Sequence, residues 1–137
     1  MTALAFDTSA AIPFVVRSHS AHLPLRRQCA GREVALTTHS LAEAYSVLTR
    51  LPGDARMTPV DAARLLAVNF AQVIGPDPAV VSKLPDVLAP LGIAGGAVYD
   101  ALVALAAAAN QMVLLTRDAR AFATYAAIGV RIEIAKR

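Results

Sequence analysis

The sequence of 137 residues has little of what extracellular and membrane proteins depend on. Cys29 is its one cysteine, so an intrachain disulfide is excluded and a reducing cytoplasm is the expected compartment. The longest apolar run, from Ala101 to Ala109, is far shorter than the roughly 20 residues that a helix needs to cross a bilayer. The start of the chain lacks the basic segment of a signal peptide. We therefore expect a cytoplasmic protein that does not associate with a membrane.

Aromatic residues are scarce too, because the chain has no tryptophan and its phenylalanines and tyrosines make up only 5% of it. The tyrosines Tyr45, Tyr99 and Tyr125 all fall within segments predicted to be helical. This argues against an aromatic platform on which nucleic-acid bases would stack. If the partner is a nucleic acid, charge and shape are expected to govern its recognition.

Apolar residues, in contrast, account for 56% of the chain, and charged residues for only 17%. This composition excludes a disordered protein, because the chain has ample apolar surface to bury. The length suits one domain, residues 1–137. The apolar content also exceeds what a small monomer usually hides, which predicts a homodimer or another partner surface.

Short apolar segments alternate with segments of helical periodicity along the chain. The predicted strands are Ala3 to Asp7, Val34 to Thr38, Ala71 to Gly75, Met112 to Thr116 and Val130 to Ile134. The predicted helices are Ala10 to Arg17, Ser20 to Ala30, Leu41 to Arg50, Pro59 to Phe70, Ala79 to Leu91, Ala97 to Asn110 and Ala119 to Ala127. Thr58 and Asp77, each directly before a proline, are predicted helix N-caps. The alternation predicts an α/β fold with three layers, α/β/α, around a central parallel sheet of about five strands.

Four acidic residues are predicted to meet at one edge of this sheet. Asp7 ends the first strand, and Asp118 follows the fourth strand in the segment LLTRDARAF. Glu43 lies early in the helix after the second strand, off its apolar stripe, and Asp100 lies in the first turn of a helix that is apolar on every face. Parallel α/β sheets bind ligands beyond the carboxyl ends of their strands, so these four residues form the candidate site.

Each of these acids also has an ordinary structural interpretation. Ser40 and Glu43 have the spacing of a capping box. Asp100 could complement a helix dipole, and Asp118 could be a first-turn acid or a turn residue. Asp7 is the hardest to explain in this way, because a buried carboxylate needs hydrogen-bond donors or a cation.

The four carboxylates have no lysine next to them in the sequence, so they would repel one another unless something positive lies between them. Their oxygens suit hard cations such as Mg²⁺ or Mn²⁺, and such ions activate water for phosphodiester hydrolysis. With four acids gathered in one site, thirteen basic residues face six acidic ones elsewhere, a net charge of +7. That surplus suits a polyanionic partner.

The segments FDTSA, LAEAYSVLTRLP, GGAVYDALVALAA and LLTRDARAF, in this order, resemble the PIN-domain ribonucleases, specifically the VapC-type toxins of bacterial toxin–antitoxin pairs. The resemblance covers essentially the whole chain and implies a single PIN domain. It implies a Mg²⁺- or Mn²⁺-dependent endoribonuclease, held inactive by a small VapB-like antitoxin, and a homodimer whose acidic sites share one groove. The catalytic and metal-binding residues that it implies are Asp7, Glu43, Asp100 and Asp118, with Ser9 and Thr116 as supporting hydroxyls.

Basic residues near the predicted site are candidate RNA contacts. Arg117, next to Asp118, could contact an RNA phosphate, pair with a carboxylate or face solvent. Arg17, Arg26 and Arg27 could form a basic RNA-binding surface or simply a solvated helix face.

Two other functions are alternatives at this point. A haloacid-dehalogenase-like phosphatase also starts from an aspartate after its first strand, but it needs a second acid two residues later, where this chain has Ser9. The other alternative is a PIN-like module that binds RNA or protein without catalysis, for which the loss of at least one of the four acids would be expected.

Overall fold

The computed structural model describes residues 2–136, and the strands within this range form one sheet of five parallel strands. They are β1 (Leu4–Phe6), β2 (Val34–Thr37), β3 (Gln72–Ile74), β4 (Val113–Thr116) and β5 (Ile132–Ile134). Each lies within its predicted segment. The order across the sheet is β3-β2-β1-β4-β5, so β1 is the central strand. The predicted parallel α/β fold is confirmed.

Along the chain, each α-helix of the described residues lies between two successive strands. They are α1 (Thr8–Val15), α2 (His22–Cys29), α3 (Thr38–Thr49), α4 (Pro59–Asn69), α5 (Pro78–Val81), α6 (Leu84–Leu88), α7 (Ala97–Ala109) and α8 (Phe122–Ile128). The predicted N-caps are confirmed, since the side chain of Thr58 accepts a hydrogen bond from the backbone N–H of Asp61 and that of Asp77 from Ala79.

One predicted helix is broken into separate pieces. The segment Ala79 to Leu91 was expected to be continuous, but it consists of α5, α6 and a 3-10 turn at Ala89–Leu91. Pro85 and Pro90 explain the breaks, because proline has no backbone N–H and its ring clashes with the carbonyl one turn earlier.

The core has two parts, one on each face of the sheet, which gives the three predicted layers. Leu4 and Phe6 of β1 pack on one face against buried residues of α1, α2, α3 and α4. Ala5, between them, packs on the opposite face against α7 and α8. Phe6 anchors the larger core through an edge-to-face contact with Phe14 at 4.8 Å between ring centroids. This packing fixes the direction in which the end of β1 points.

The connection order creates a switch point beside the central strand. The chain moves from β1 to β2 and β3 on one side, and then returns to add β4 and β5 on the other side. Phe6 is in register with Leu115, so the residues that follow β1 and β4 lie side by side at the carboxyl edge. Ligands of open α/β sheets bind at such a point.

Among residues 2–136, we find no helix that combines the length and the apolar character needed to span a bilayer.

An ion pair ties the start of β2 to the edge strand β5. The two terminal nitrogens of the Arg32 guanidinium, Nη1 and Nη2, donate to the carboxylate of Glu133 at 2.8 and 3.0 Å. The hydrogen bonds from Arg32 hold the pKa of Glu133 below its ordinary value. The pair therefore favours the folded state when Glu133 is ionised.

We predict that Glu133→Gln lowers the free energy of unfolding by about 0.5–1 kcal/mol at neutral pH. Because the folded-state pKa is depressed, this contribution is complete above the ordinary glutamate pKa of 4.5 and is lost as the pH falls through the folded value. Urea unfolding of the wild type and the variant at neutral and at acidic pH measures the difference. Glu33→Gln, at an exposed position, is the control. A deficit that stays constant down to acidic pH would contradict the ion-pair explanation.

Candidate active site

A cavity of about 170 Å³ lies at the carboxyl edge of the sheet, beside the switch point. All four predicted carboxylates line it: Asp7 after β1, Glu43 on α3, Asp100 on α7 and Asp118 after β4. These residues come from segments that are far apart in the sequence. The structure therefore brings the predicted set together around one cavity.

Asp7 is the buried member of the set, with only 4% of its surface exposed. One carboxylate oxygen, Oδ1, accepts hydrogen bonds from the Ser9 hydroxyl at 2.6 Å and from the backbone N–H of Ala10 at 3.1 Å. The other oxygen, Oδ2, accepts from the Tyr125 hydroxyl at 2.8 Å. Burial raises the pKa of Asp7, and these donors oppose the rise by stabilising the ionised form. Asp7 also caps α1 and so has a structural role.

Tyr125 is a site residue that the sequence analysis missed. Its side chain is 1% exposed, and its hydroxyl reaches Asp7 from α8 on the far side of the sheet. Burial and the neighbouring carboxylate of Asp7 raise the pKa of Tyr125, so its hydroxyl stays protonated and donates. The available signal was a single tyrosine on the inner face of an alanine-rich helix, because a buried tyrosine hydroxyl needs a partner.

The hydroxyls of Ser9 and Thr116 lie between Asp7 and Asp118. Ser9 donates to Asp7, accepts from the backbone N–H of Arg117 at 2.8 Å, and lies 3.3 Å from the Thr116 hydroxyl. Thr116 in turn accepts from the backbone N–H of Asp118 at 3.0 Å. This chain of hydrogen bonds couples the ends of β1 and β4.

Asp100 and Asp118 both pair with the guanidinium group of Arg120. Nη2 of Arg120 lies 2.9 Å from Asp118, and Nη1 of the same guanidinium lies 3.3 Å from Asp100. Asp118 also caps a 3-10 turn by accepting from the backbone N–H of Arg120 at 3.1 Å, so the turn interpretation of Asp118 holds alongside its place in the cavity. The sequence analysis missed Arg120, although its position two residues after Asp118 was a signal.

Glu43 is the accessible member, with a side chain that is 50% exposed. Nε2 of His39 lies 4.0 Å from Oε2 of Glu43. The capping-box alternative for Glu43 is wrong, because α3 begins at Thr38 and its N-cap is Thr37, which accepts from the backbone N–H of Ser40 at 3.3 Å. Ser40 lies inside the helix, one turn too late to cap it.

The donor set fits a hard divalent cation. The cavity offers four carboxylates and two buried hydroxyl oxygens, of Thr8 and Ser40, that have no hydrogen-bond partner within the described residues. Such oxygens are the ligands that Mg²⁺ and Mn²⁺ prefer. Over residues 2–136 no three acidic, histidine or cysteine side chains converge closely enough to hold an ion as they stand. Because the Arg120 guanidinium pairs with Asp100 and Asp118, a cation would compete with it for their carboxylate oxygens.

The four arginines that are candidate RNA contacts differ in their surroundings. Arg26 stacks over the Phe14 ring at 3.9 Å and donates to the side chain of Asn69, so it joins α2 to α4. Arg17 and Arg27 are exposed. The side chain of Arg117 has no ion-pair partner among the described residues, which leaves the phosphate and solvent interpretations.

Comparison with known proteins identifies the family of this chain. The family model of the PIN domain matches residues 4–128. The chain is 56% identical over 132 residues to Ribonuclease VapC27 of Mycobacterium tuberculosis, covering 96% of each protein. Its fold is similar to that of DNA-bound VapBC from Salmonella typhimurium, with a TM-score of 0.70, 19% identity and coverage of 99% of this chain and 100% of that one. It is also similar to VapBC-5 of Mycobacterium tuberculosis, a member of the VapBC family of toxin–antitoxin systems, with a TM-score of 0.60, 21% identity and full coverage of both chains.

We predict that Tyr125→Phe lowers the free energy of unfolding by about 1–3 kcal/mol, because it removes one donor from a buried carboxylate. Urea unfolding at neutral pH measures the loss. Tyr45→Phe removes a hydroxyl from a tyrosine that is 39% exposed and makes the matched control, with an expected change within about 0.5 kcal/mol. Equal effects of the two substitutions would show that the hydrogen bond to Asp7 does not contribute to stability.

Proposed function

The chain belongs to the PIN-domain family, and we propose that it is a divalent-metal-dependent endoribonuclease that acts as the toxin of a toxin–antitoxin pair. The observation that carries this proposal is the convergence of Asp7, Glu43, Asp100 and Asp118 on one cavity at the switch point of the sheet. A relative with 56% identity over nearly the whole chain bears the name ribonuclease, which supports the same activity. We also propose that the protein acts in the cytoplasm as a single domain.

Asp7, Glu43, Asp100 and Asp118 would hold the cation. When bound, Mg²⁺ or Mn²⁺ supplies an activated water and neutralises charge on the scissile phosphate. One of these carboxylates is held in place by hydrogen bonds, and another can reorient. Asp7 is oriented by the hydroxyls of Ser9 and Tyr125, whereas the half-exposed side chain of Glu43 can change rotamer without disturbing the core.

The surroundings of Asp7 speak against the phosphatase alternative. Such an enzyme needs a free aspartate nucleophile and a second acid two residues later, but both oxygens of Asp7 accept hydrogen bonds and the second position is Ser9. A non-catalytic module is disfavoured because all four acids line the cavity. Neither alternative has an observation in its favour.

RNA is the proposed substrate, and two exposed arginines and one half-buried arginine are its proposed phosphate contacts. Arg17, Arg27 and Arg117 are available for this role, since none of them pairs with a carboxylate among the described residues. Arg26 contributes indirectly by packing α2 against α4. The surplus of basic residues outside the cavity favours a polyanionic substrate.

We propose a small VapB-like antitoxin and a second copy of the chain as the protein partners. An apolar groove of about 520 Å³ lies between α3 and α4, beside the edge strand β3. Leu41, Tyr45 and Val73 line it, and the last two are 39% and 42% exposed. An apolar segment of the antitoxin is its proposed occupant, because the fold neighbours include toxin–antitoxin complexes and an exposed apolar groove favours a partner.

We predict that Asp100→Asn and Glu43→Gln each lower RNA cleavage by more than about 100-fold, since each removes a charge from the set that holds the cation. Both variants should also lose most of the increase in melting temperature that Mn²⁺ gives the wild type, through binding linkage. Cleavage of single-stranded RNA and thermal melts, each with Mn²⁺ and with chelator, measure the two effects.

The control is Asp54→Asn, an exposed acid outside the cavity, which should keep both properties. Variants at Asp100 and Glu43 that still cleave RNA at the wild-type rate would refute the proposed site.

We predict that Ala67→Glu weakens co-purification with the antitoxin while leaving RNA cleavage intact. Ala67 is exposed and lines the groove, so the substitution adds a charge there without removing core packing. Ala127→Glu, on the exposed face of α8, is the matched control. Equal co-purification of both variants would show that the groove is not part of the partner surface.

We also predict that the chain forms a homodimer, which light scattering of the same samples measures. A monomer at micromolar concentration would contradict this prediction.

A further inference from the structure

The rim of the acidic cavity carries an aromatic pair that the proposed chemistry does not use. Tyr99 precedes Asp100 on α7, lines the cavity and is 57% exposed. The ring of His39, on α3, stacks against it at 5.4 Å between centroids and an interplanar angle of 16°. His39 thus supports the tyrosine ring from one side, and much of the ring still faces solvent.

The charge of the cavity explains why such a pair would be useful. RNA brings phosphates towards four carboxylates, and Arg120 is the one arginine or lysine that pairs with them within the described residues. Attraction that does not depend on charge is therefore valuable beside this site. Aromatic faces provide it, because every nucleobase can stack on them whatever its sequence.

We propose that Tyr99, supported by His39, is a stacking platform for one unpaired base of the RNA next to the scissile phosphate. This inference rests on the proposed ribonuclease function and makes Tyr99 a positioning residue for the substrate. It departs from the expectation that helical tyrosines offer no platform, because Tyr99 lies in a helix and still presents its ring at the cavity rim.

The platform gives the enzyme a preference for unpaired RNA. Bases inside an A-form helix are already stacked on their neighbours, whereas bases of loops and single strands can turn outwards onto a protein ring. Tyr99 adjoins Asp100 in the sequence, so a base held there lies close to the carboxylates. The phosphate beside that base is then positioned for cleavage.

Three substitutions of Tyr99 test the proposal in cleavage of a short single-stranded RNA with Mn²⁺. Tyr99→Ala and Tyr99→Leu should lower kcat/KM by about 5-fold or more, because both lose the aromatic face. Tyr99→Phe keeps that face and should stay within about 2-fold of the wild type. Val68→Ala, at an apolar residue of α4 that is 78% exposed and outside both the acidic cavity and the apolar groove, should leave kcat/KM unchanged. Thermal melts check that each variant is folded.

Abasic substitutions in the RNA separate stacking from a merely structural role. Abasic residues are introduced one at a time on either side of the cleavage point. In the wild type, one position should lower kcat/KM, and in Tyr99→Ala the same abasic residue should cause no further loss. The dependence of kcat/KM on salt should be the same in Tyr99→Ala and the wild type, whereas removal of Arg17 and Arg27 should flatten it.

The outcomes separate this inference from the proposed function. Cleavage by the wild type with equal kcat/KM for Tyr99→Ala would overturn the platform and leave the ribonuclease proposal intact. Additive losses from Tyr99→Ala and from every abasic residue would also overturn it. A wild type that cleaves no RNA would refute the proposed function itself. A defect of Tyr99→Ala confined to antitoxin binding would assign the aromatic pair to the protein partner instead.

Discussion

The candidate site depends on one buried carboxylate at the end of the central strand. Asp7 is 4% exposed, and ionising it there costs free energy unless donors surround it. The Ser9 hydroxyl, the backbone N–H of Ala10 and the Tyr125 hydroxyl meet that need. They come from both sides of the sheet, so the position of α8 against β1 is coupled to the chemistry of the site. These hydrogen bonds join α1 and α8 to the carboxyl edge of the sheet.

The other three acids of the site are more accessible than Asp7. Asp100 and Asp118 have side chains that are 17% and 30% exposed, and Glu43 reaches 50%. Arg120, whose side chain is 69% exposed, neutralises the middle pair from solvent. A solvent-exposed guanidinium is held only weakly, because water screens its charge. In the proposed function, a metal ion would replace this guanidinium without disturbing the core.

The acidic, apolar and aromatic surfaces of the protein lie at different places. The cavity is acidic, and Arg17 and Arg27 are exposed outside it. The groove between α3 and α4 is apolar and lies beside the edge strand β3 rather than at the switch point. The aromatic pair of His39 and Tyr99 lies at the rim, between acidic and open surface. An RNA substrate and a protein partner would thus be recognised by different physical forces at different places.

The sequence by itself determined the parallel α/β fold and the four acids of the cavity. Both follow from local patterns: apolar segments alternate with helical periodicity, and polar residues that follow parallel strands or lie early in the helices between them meet at one edge. Only the tertiary structure decided which side chains surround those acids. Tyr125 and Asp7 are 118 positions apart in the sequence, and the stacking of His39 on Tyr99 joins two helices that are not consecutive. Such contacts depend on how helices pack across the sheet. Periodicity indicates which face of a helix is buried, but not which side chain on another element it will meet.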